Sequence, residues 1–145
     1  MSDQVKPLLV ALKAEEDGYQ IYGRMAKRSE NENGKKMFEH LVKEEARHIR
    51  TIKDRLKKLG ALPETKDIAE KVYSVSELDF PDKELSDLEV IARAITEEKD
   101  ARAFYLRSAE QTQSPEEKQM YQLLANDEAS HAEILEKEAA RLKTS

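Results

Sequence analysis

The chain has 145 residues, of which 38% are charged and 6% are aromatic, and it contains no cysteine. This length fits one domain, residues 1–145, built around a single hydrophobic core. A formal net charge of −5 argues against a nucleic-acid partner, and no apolar run reaches the roughly 18 residues that a membrane span needs. The lack of cysteine excludes disulfides and thiolate metal sites. We therefore expect a cytoplasmic protein without a membrane partner.

Apolar residues recur at spacings of three and four in four stretches, a pattern that predicts amphipathic helices. The predicted helices cover about residues 3–30, 32–59, 87–111 and 115–142. Their predicted core stripes contain ionisable residues as well as apolar ones. The stripes are Leu8, Leu12, Glu15, Tyr19, Tyr22 and Ala26; Phe38, Leu41, Glu45, His48, Ile52 and Leu56; Ile91, Ile95, Glu98, Tyr105 and Ala109; and Tyr121, Leu124, Glu128, His131 and Leu135.

Capping residues stand at the predicted helix boundaries. They are the S/T-x-x-E pairs Ser86–Glu89 and Ser114–Glu117, Asn31 before the second helix and Gly60 after it. The short turns within each helix pair predict two antiparallel hairpins. The stretch from about 60 to 86, with a short helix near 66–72, is long enough to run back along a helix of about 37 Å. This length allows the second and third helices to lie parallel.

The two halves of the chain repeat each other with an offset of 83 residues and no gap. Each half carries E-x6-Y on its first helix and E-x-x-H on its second. A lone E-x-x-H in so glutamate-rich a chain is weak evidence, but two copies on apolar stripes favour buried ligands over a solvated face. The repeated pairs are Glu15 and Glu98, Tyr22 and Tyr105, Glu45 and Glu128, and His48 and His131.

Four carboxylates and two imidazoles from facing helices are the ligand set of a two-metal site inside a four-helix bundle. A glutamate and a histidine three residues apart share one helix face, so both reach the same point. Mixed carboxylate and imidazole ligation suits iron or manganese. The predicted ligands are, as bridges, Glu45 and Glu128; on one metal, Glu15 and His48; on the other, Glu98 and His131.

Other residues near the predicted ligands have two interpretations. Tyr22 and Tyr105 are predicted to orient ligand carboxylates by hydrogen bonds, the alternative being core packing. Gly18 lies one turn from Glu15, and its repeat partner is Ala101. It indicates either a close approach of helices or space for a small oxidant beside the metals.

The remaining histidine and the flanking acids are predicted to lie outside the site. His40 is expected on the surface, because it lies about 140° around the helix from Glu45. Glu16, Glu44, Glu97 and Asp127 point roughly 100° away from the ligands and are expected to be solvated.

These paired motifs resemble the ferritin-like superfamily, and most closely its rubrerythrin-type branch. The resemblance covers all four helices and implies an all-α, ferritin-like antiparallel four-helix bundle with a long crossover between helices 2 and 3. It also implies a non-haem di-iron centre that reacts with hydrogen peroxide or dioxygen. Without cysteine, the reductant is expected to be a separate electron-donor protein. Related bundles commonly dimerise, so a homodimer is expected.

The resemblance leaves several functions open. The leading hypothesis is an oxidoreductase holding two iron ions, with manganese or a mixed pair as alternatives, that protects against oxidative stress. Rubrerythrins carry a further carboxylate where this chain has Ala101, which leaves a six-ligand site more like that of bacterioferritin. The alternatives are a ferroxidase or iron-binding protein without substrate turnover, and a metal-binding bundle that acts as an interaction module.

Overall fold

Four long helices make up the part of the chain that the structure, a computed structural model, describes: residues 4–61 and 85–144. They are α1 (Val5–Arg28), α2 (Glu32–Lys58), α3 (Asp87–Gln111) and α4 (Pro115–Thr144), with no strand among these residues. The all-α prediction is confirmed, and each helix end lies within two residues of its predicted position. The predicted crossover and the short helix near 66–72 lie outside the described residues.

Two compact units divide the chain, one covering Met1–Asp82 and the other Lys83–Ser145. In the first unit α1 packs against α2, and in the second α3 packs against α4. Because only a few residues join the helices of each pair, both units are antiparallel hairpins, as the short turns predicted.

Side-chain caps fix where α2 and α3 begin. The Oδ1 atom of Asn31 accepts a hydrogen bond from the Gly34 amide at 3.0 Å. At α3 the Ser86 hydroxyl accepts from the Glu89 amide at 3.1 Å, and the Glu89 carboxylate accepts from the Ser86 amide at 3.2 Å. Each cap satisfies amides that have no partner within the helix. Both predicted caps are therefore confirmed.

The start of α4 uses a wider set of polar groups than the predicted box. The Ser114 hydroxyl accepts from the Glu117 amide at 3.2 Å, as expected. The Ser114 amide donates to the Thr112 hydroxyl at 3.2 Å, and that hydroxyl lies 3.5 Å from the Glu117 carboxylate. Thr112 thus links the capping serine to the capping glutamate.

A glycine ends α2 as predicted. Gly60 has a φ of +73°, in the left-handed region that glycine adopts without steric cost. Its amide donates to the Lys57 carbonyl at 2.9 Å, and the Ala61 amide donates to the Leu56 carbonyl at 2.9 Å. These two bonds are the Schellman arrangement, which satisfies carbonyls at the helix end.

The hairpin cores follow the predicted stripes, except that Ile95 is only partly buried and Tyr19 is exposed. Tyr19 was predicted in the core of α1, but its side chain is 41% exposed. Its ring lines an open groove of about 520 Å³, beside Gly23 one turn along the helix. Because Gly23 has no side chain, nothing at that position covers the ring. The fully buried apolar side chains of the two hairpins include Leu8, Leu12, Met25, Leu41, Ile52 and Leu56 in the first and Ile91, Tyr105, Tyr121 and Leu135 in the second.

Candidate metal centre

The first hairpin brings two glutamates and a histidine together inside its core. Glu15 lies in the middle of α1, and Glu45 and His48 lie one turn apart on α2. All three are buried. The His48 Nδ1 atom is 3.2 Å from the Glu15 Oε2 atom. One donor atom from each of the three residues lies within 4.8 Å of the others, so together they are able to hold a metal ion.

The second hairpin repeats this arrangement with its own three residues. Glu98 lies on α3, and Glu128 and His131 lie one turn apart on α4, all of them at most 5% exposed. The His131 Nδ1 atom is 3.5 Å from Glu98 Oε2 and 3.9 Å from Glu128 Oε2. One donor atom from each again lies within 4.8 Å of the others. We call these two sets of residues the first and second triads.

The chemistry of each triad fits a divalent cation. Two buried carboxylates lose hydration worth several kcal/mol each and repel one another, and one divalent ion balances their charge. Donor atoms on a common metal with bonds of about 2.1 Å lie roughly 3 to 4 Å apart, which is the range measured within the triads. The mixture of oxygen and imidazole nitrogen favours iron or manganese over magnesium or calcium, which prefer oxygen alone.

Gly18 leaves room for one of these carboxylates. A Cβ atom built on Gly18 would lie 3.1 Å from the Glu45 Oε2 atom and 3.2 Å from its Cδ atom. The sequence left two interpretations of this glycine, a close approach of helices or space for a small oxidant. These distances support a close approach of α2 to α1 at Gly18. The space beside Gly18 is taken up by the Glu45 carboxylate.

The two predicted tyrosines are buried in their hairpins. The Tyr22 ring stacks on Phe38 with centroids 6.3 Å apart, and the Tyr105 ring stacks on Tyr121 with centroids 6.0 Å apart. Both tyrosines are at most 2% exposed. Ring packing is thus part of what each does, and the orientation of ligand carboxylates by their hydroxyl groups remains a prediction.

Two acidic residues next to the predicted ligands in sequence form ion pairs on the surface of the first hairpin. Glu16 on α1 lies 3.7 Å from the Lys53 ammonium on α2, and Glu44 lies 3.0 Å from the Arg47 guanidinium. Both acids are partly exposed, as is Asp127 in the second hairpin, and Glu97 is exposed. None of these acids belongs to a triad. His40 is exposed, which confirms its expected position on the surface.

One buried ionisable residue was identified from the sequence only as a cap. Glu117 in the first turn of α4 is 1% exposed. The sequence held the signal for this burial, because Glu117 continues the stripe of Tyr121 and Leu124 by one turn toward the N-terminus. The helix start therefore carries a buried carboxylate in addition to those of the second triad.

None of the described helices has a stretch long and apolar enough to cross a membrane.

Similarity to known proteins agrees with this architecture. No curated protein and no solved structure matches the chain. The family model described as Rubrerythrin matches residues 6–139, a range that contains both triads and all of the two hairpins except the first residue of α1 and the last five of α4. The match gives the fold class as an all-α, ferritin-like four-helix bundle. With most of its length covered by this model, the chain belongs to the rubrerythrin family.

Proposed function

We propose that this protein is a non-haem di-iron oxidoreductase that reduces hydrogen peroxide or dioxygen in defence against oxidative stress. In this proposal the two triads together hold two iron ions. The observation that carries it is the pair of buried clusters, each with two carboxylates and one imidazole, in a chain of the rubrerythrin family. Charged groups buried in this way are costly to the fold without a metal to bind.

The roles of the protein groups follow from their chemistry. Bound ferrous ions would supply two electrons, which with two protons reduce one hydrogen peroxide molecule to two water molecules. The glutamates hold the ions and balance their charge, while the surrounding helices exclude bulk water. Where His48 Nδ1 carries its proton, it donates to Glu15 Oε2 at 3.2 Å. Metal binding through Nδ1 requires that proton to move, to Nε2 where the ring is neutral or to solvent where the ring is charged.

Electrons must be restored to the site after each turnover. A cysteine-ligated iron is excluded within these 145 residues, because the sequence contains no cysteine. We propose that a separate electron-donor protein supplies the electrons. Hydrogen peroxide or dioxygen is small enough to reach buried ligands without a large substrate pocket.

The test combines metal content with the rate of oxidation by peroxide. The protein is purified without a metal-affinity step from cells grown with iron and manganese, and its metals are counted by plasma mass spectrometry. Anaerobically reduced protein is then mixed with hydrogen peroxide in a stopped-flow instrument. We expect about two iron ions per chain and rapid oxidation, with both reduced in Glu45→Ala and His131→Ala. His40→Ala is the matched control, since His40 is exposed on α2.

The outcomes separate the proposed function from its competitors. Folded Glu45→Ala or His131→Ala protein that kept full metal content and full oxidation rate would contradict the proposal. A wild-type protein that stays folded but never binds metal would favour an interaction module.

A ferroxidase is the second candidate, and one residue favours it. Ala101 stands on α3 where the resemblance implies a further carboxylate in peroxide-reducing relatives, so the triads supply six ligands only. A ferroxidase would use the same residues but oxidise ferrous iron as its substrate. Iron in large excess over two ions per chain after aerobic loading would favour this candidate.

A further inference from the structure

Gly18 lies in the interior of α1, where glycine lowers the stability of a helix. A glycine in a helix interior destabilises it by up to about 1 kcal/mol relative to alanine. Backbone conformation does not explain its presence, because Gly60 is the glycine with a positive φ in the described part of the chain. What distinguishes Gly18 from Gly23, the other glycine of this helix, is that the space a side chain would occupy is already filled.

That space belongs to a predicted metal ligand on the neighbouring helix. The three atoms nearest to a Cβ on Gly18 all belong to the Glu45 carboxyl group, at 3.1, 3.2 and 3.6 Å. A methyl group there would push the carboxylate away by a few tenths of an ångström. The Glu45 carboxylate is the end of a flexible side chain, so the metal-free protein is able to accommodate this displacement without unfolding.

A ligand to a metal has much less freedom. Metal-ligand distances are held to within about 0.2 Å, so a displacement of a few tenths of an ångström weakens the bond. We propose that Gly18 is a positioning residue for Glu45, whose missing side chain lets this carboxylate bind metal at its best distance. The proposal rests on the proposed function, because it takes Glu45 as a metal ligand.

The repeat makes the two hairpins unequal at this point. Ala101 stands in α3 where Gly18 stands in α1, so the second hairpin has a methyl group at the repeated position. The space given to Glu45 is therefore a property of the first hairpin. We infer that an added methyl group at Gly18 lowers metal affinity through the first triad.

The chain supplies a matched control for this substitution. Gly23 lies on the same helix, and a Cβ atom built on it meets nothing within 4 Å. Gly23→Ala therefore gains the same helix propensity as Gly18→Ala without touching a ligand. Comparing the two variants separates the effect on metal binding from the effect on helix stability.

The experiment titrates the full-length protein with manganese(II) alone, which avoids oxidation during the measurement. Wild type, Gly18→Ala and Gly23→Ala are compared by isothermal calorimetry and by thermal unfolding with and without the metal. We expect both variants to be folded without metal, at melting temperatures no lower than that of wild type. With manganese, we expect Gly23→Ala to bind like wild type and Gly18→Ala to bind about 10-fold more weakly.

Each other result has a definite meaning. Unchanged affinity in Gly18→Ala, with wild type binding normally, would overturn the positioning role and leave the proposed function intact. A metal-free Gly18→Ala protein that is unfolded would make Gly18 a packing requirement and overturn the proposal too. Failure of the wild type to bind either manganese or iron would reject the proposed function itself, and with it this role for Gly18.

Discussion

The predicted ligands are defined by a conflict between residue type and position. Glutamate is almost never fully buried in proteins unless it is paired, and histidine is intermediate, yet Glu45 and His48 lie on the same buried stripe as Leu41 and Ile52. One such conflict is explained by a local ion pair. Two conflicts in the same helix, repeated in the second hairpin, require a common cause such as a cation. This reasoning needs only helical spacing, which is why the sequence was sufficient to predict that the six residues are buried, while their role as metal ligands stays a prediction.

The tyrosine hydroxyls give a prediction at the residue scale. Tyr22→Phe keeps the ring that stacks on Phe38 but removes the hydroxyl. If that hydroxyl orients a ligand carboxylate, metal affinity should fall by about 10-fold, as it does when partners of metal ligands are removed. Calorimetric titration with manganese(II) measures the change.

Tyr19→Phe is the control for this prediction, because Tyr19 is on the same helix but exposed. It should leave the affinity unchanged. Equal affinities in Tyr22→Phe, Tyr19→Phe and wild type would mean that Tyr22 acts only by packing in the core.

Helix ends were predictable wherever a local signal marks them. Asn31, Ser86 and Gly60 each satisfy backbone groups within three or four residues of themselves, so their neighbours in sequence are enough to identify them. The start of α1 lacks such a signal, and Gln4 makes no side-chain capping bond there. Exposure of Tyr19 was not predictable, because it depends on which side chains of the hairpin cover the ring.

The end of α2 gives a prediction at the element scale. A Cβ atom on Gly60 meets nothing within 4 Å, but the residue has a φ of +73°. An alanine there adopts the left-handed conformation at a cost of about 1 kcal/mol or more. Gly60→Ala should therefore lower the free energy of unfolding by about that amount, measured by urea denaturation of the metal-free protein.

Gly23→Ala is the control, because it is expected to change the free energy of unfolding in the opposite direction. The same methyl group is added at a site that is equally open, but in a helix interior with negative φ. It should raise the free energy of unfolding by roughly 0.4 to 1 kcal/mol. If Gly60→Ala and Gly23→Ala both raised or both lowered the free energy of unfolding, the backbone conformation of the substituted residue would not be what controls the change.

At the scale of the whole molecule, the duplication accounts for much of what the sequence revealed. Each hairpin has a short turn, a buried triad and an aromatic stack, and the family model spans both hairpins. The crossover was inferred from its length alone, and it stays a prediction because it lies outside the described residues. A single domain and a homodimer remain predictions, because helical periodicity reports on a helix and its immediate neighbours only.

Removing metal should weaken the whole fold if the triads bind it. Metal that binds the folded chain alone stabilises it by about 2.7 kcal/mol when its free concentration is 100 times the dissociation constant. For a chain of this size that corresponds to a rise of roughly 8 °C in melting temperature. Scanning calorimetry of the protein with manganese(II), and then with excess chelator, measures the difference.

Magnesium is the control that separates ligation from a general effect of charge. It has the same charge as manganese but prefers oxygen ligands and keeps several waters, so it gains little from the imidazoles of His48 and His131. At equal concentration magnesium should raise the melting temperature much less. An equal rise with both ions would mean that they only screen the excess negative charge of the chain. A rise with manganese that disappears in a Glu45→Ala, Glu128→Ala protein would show that stabilisation acts through the triads.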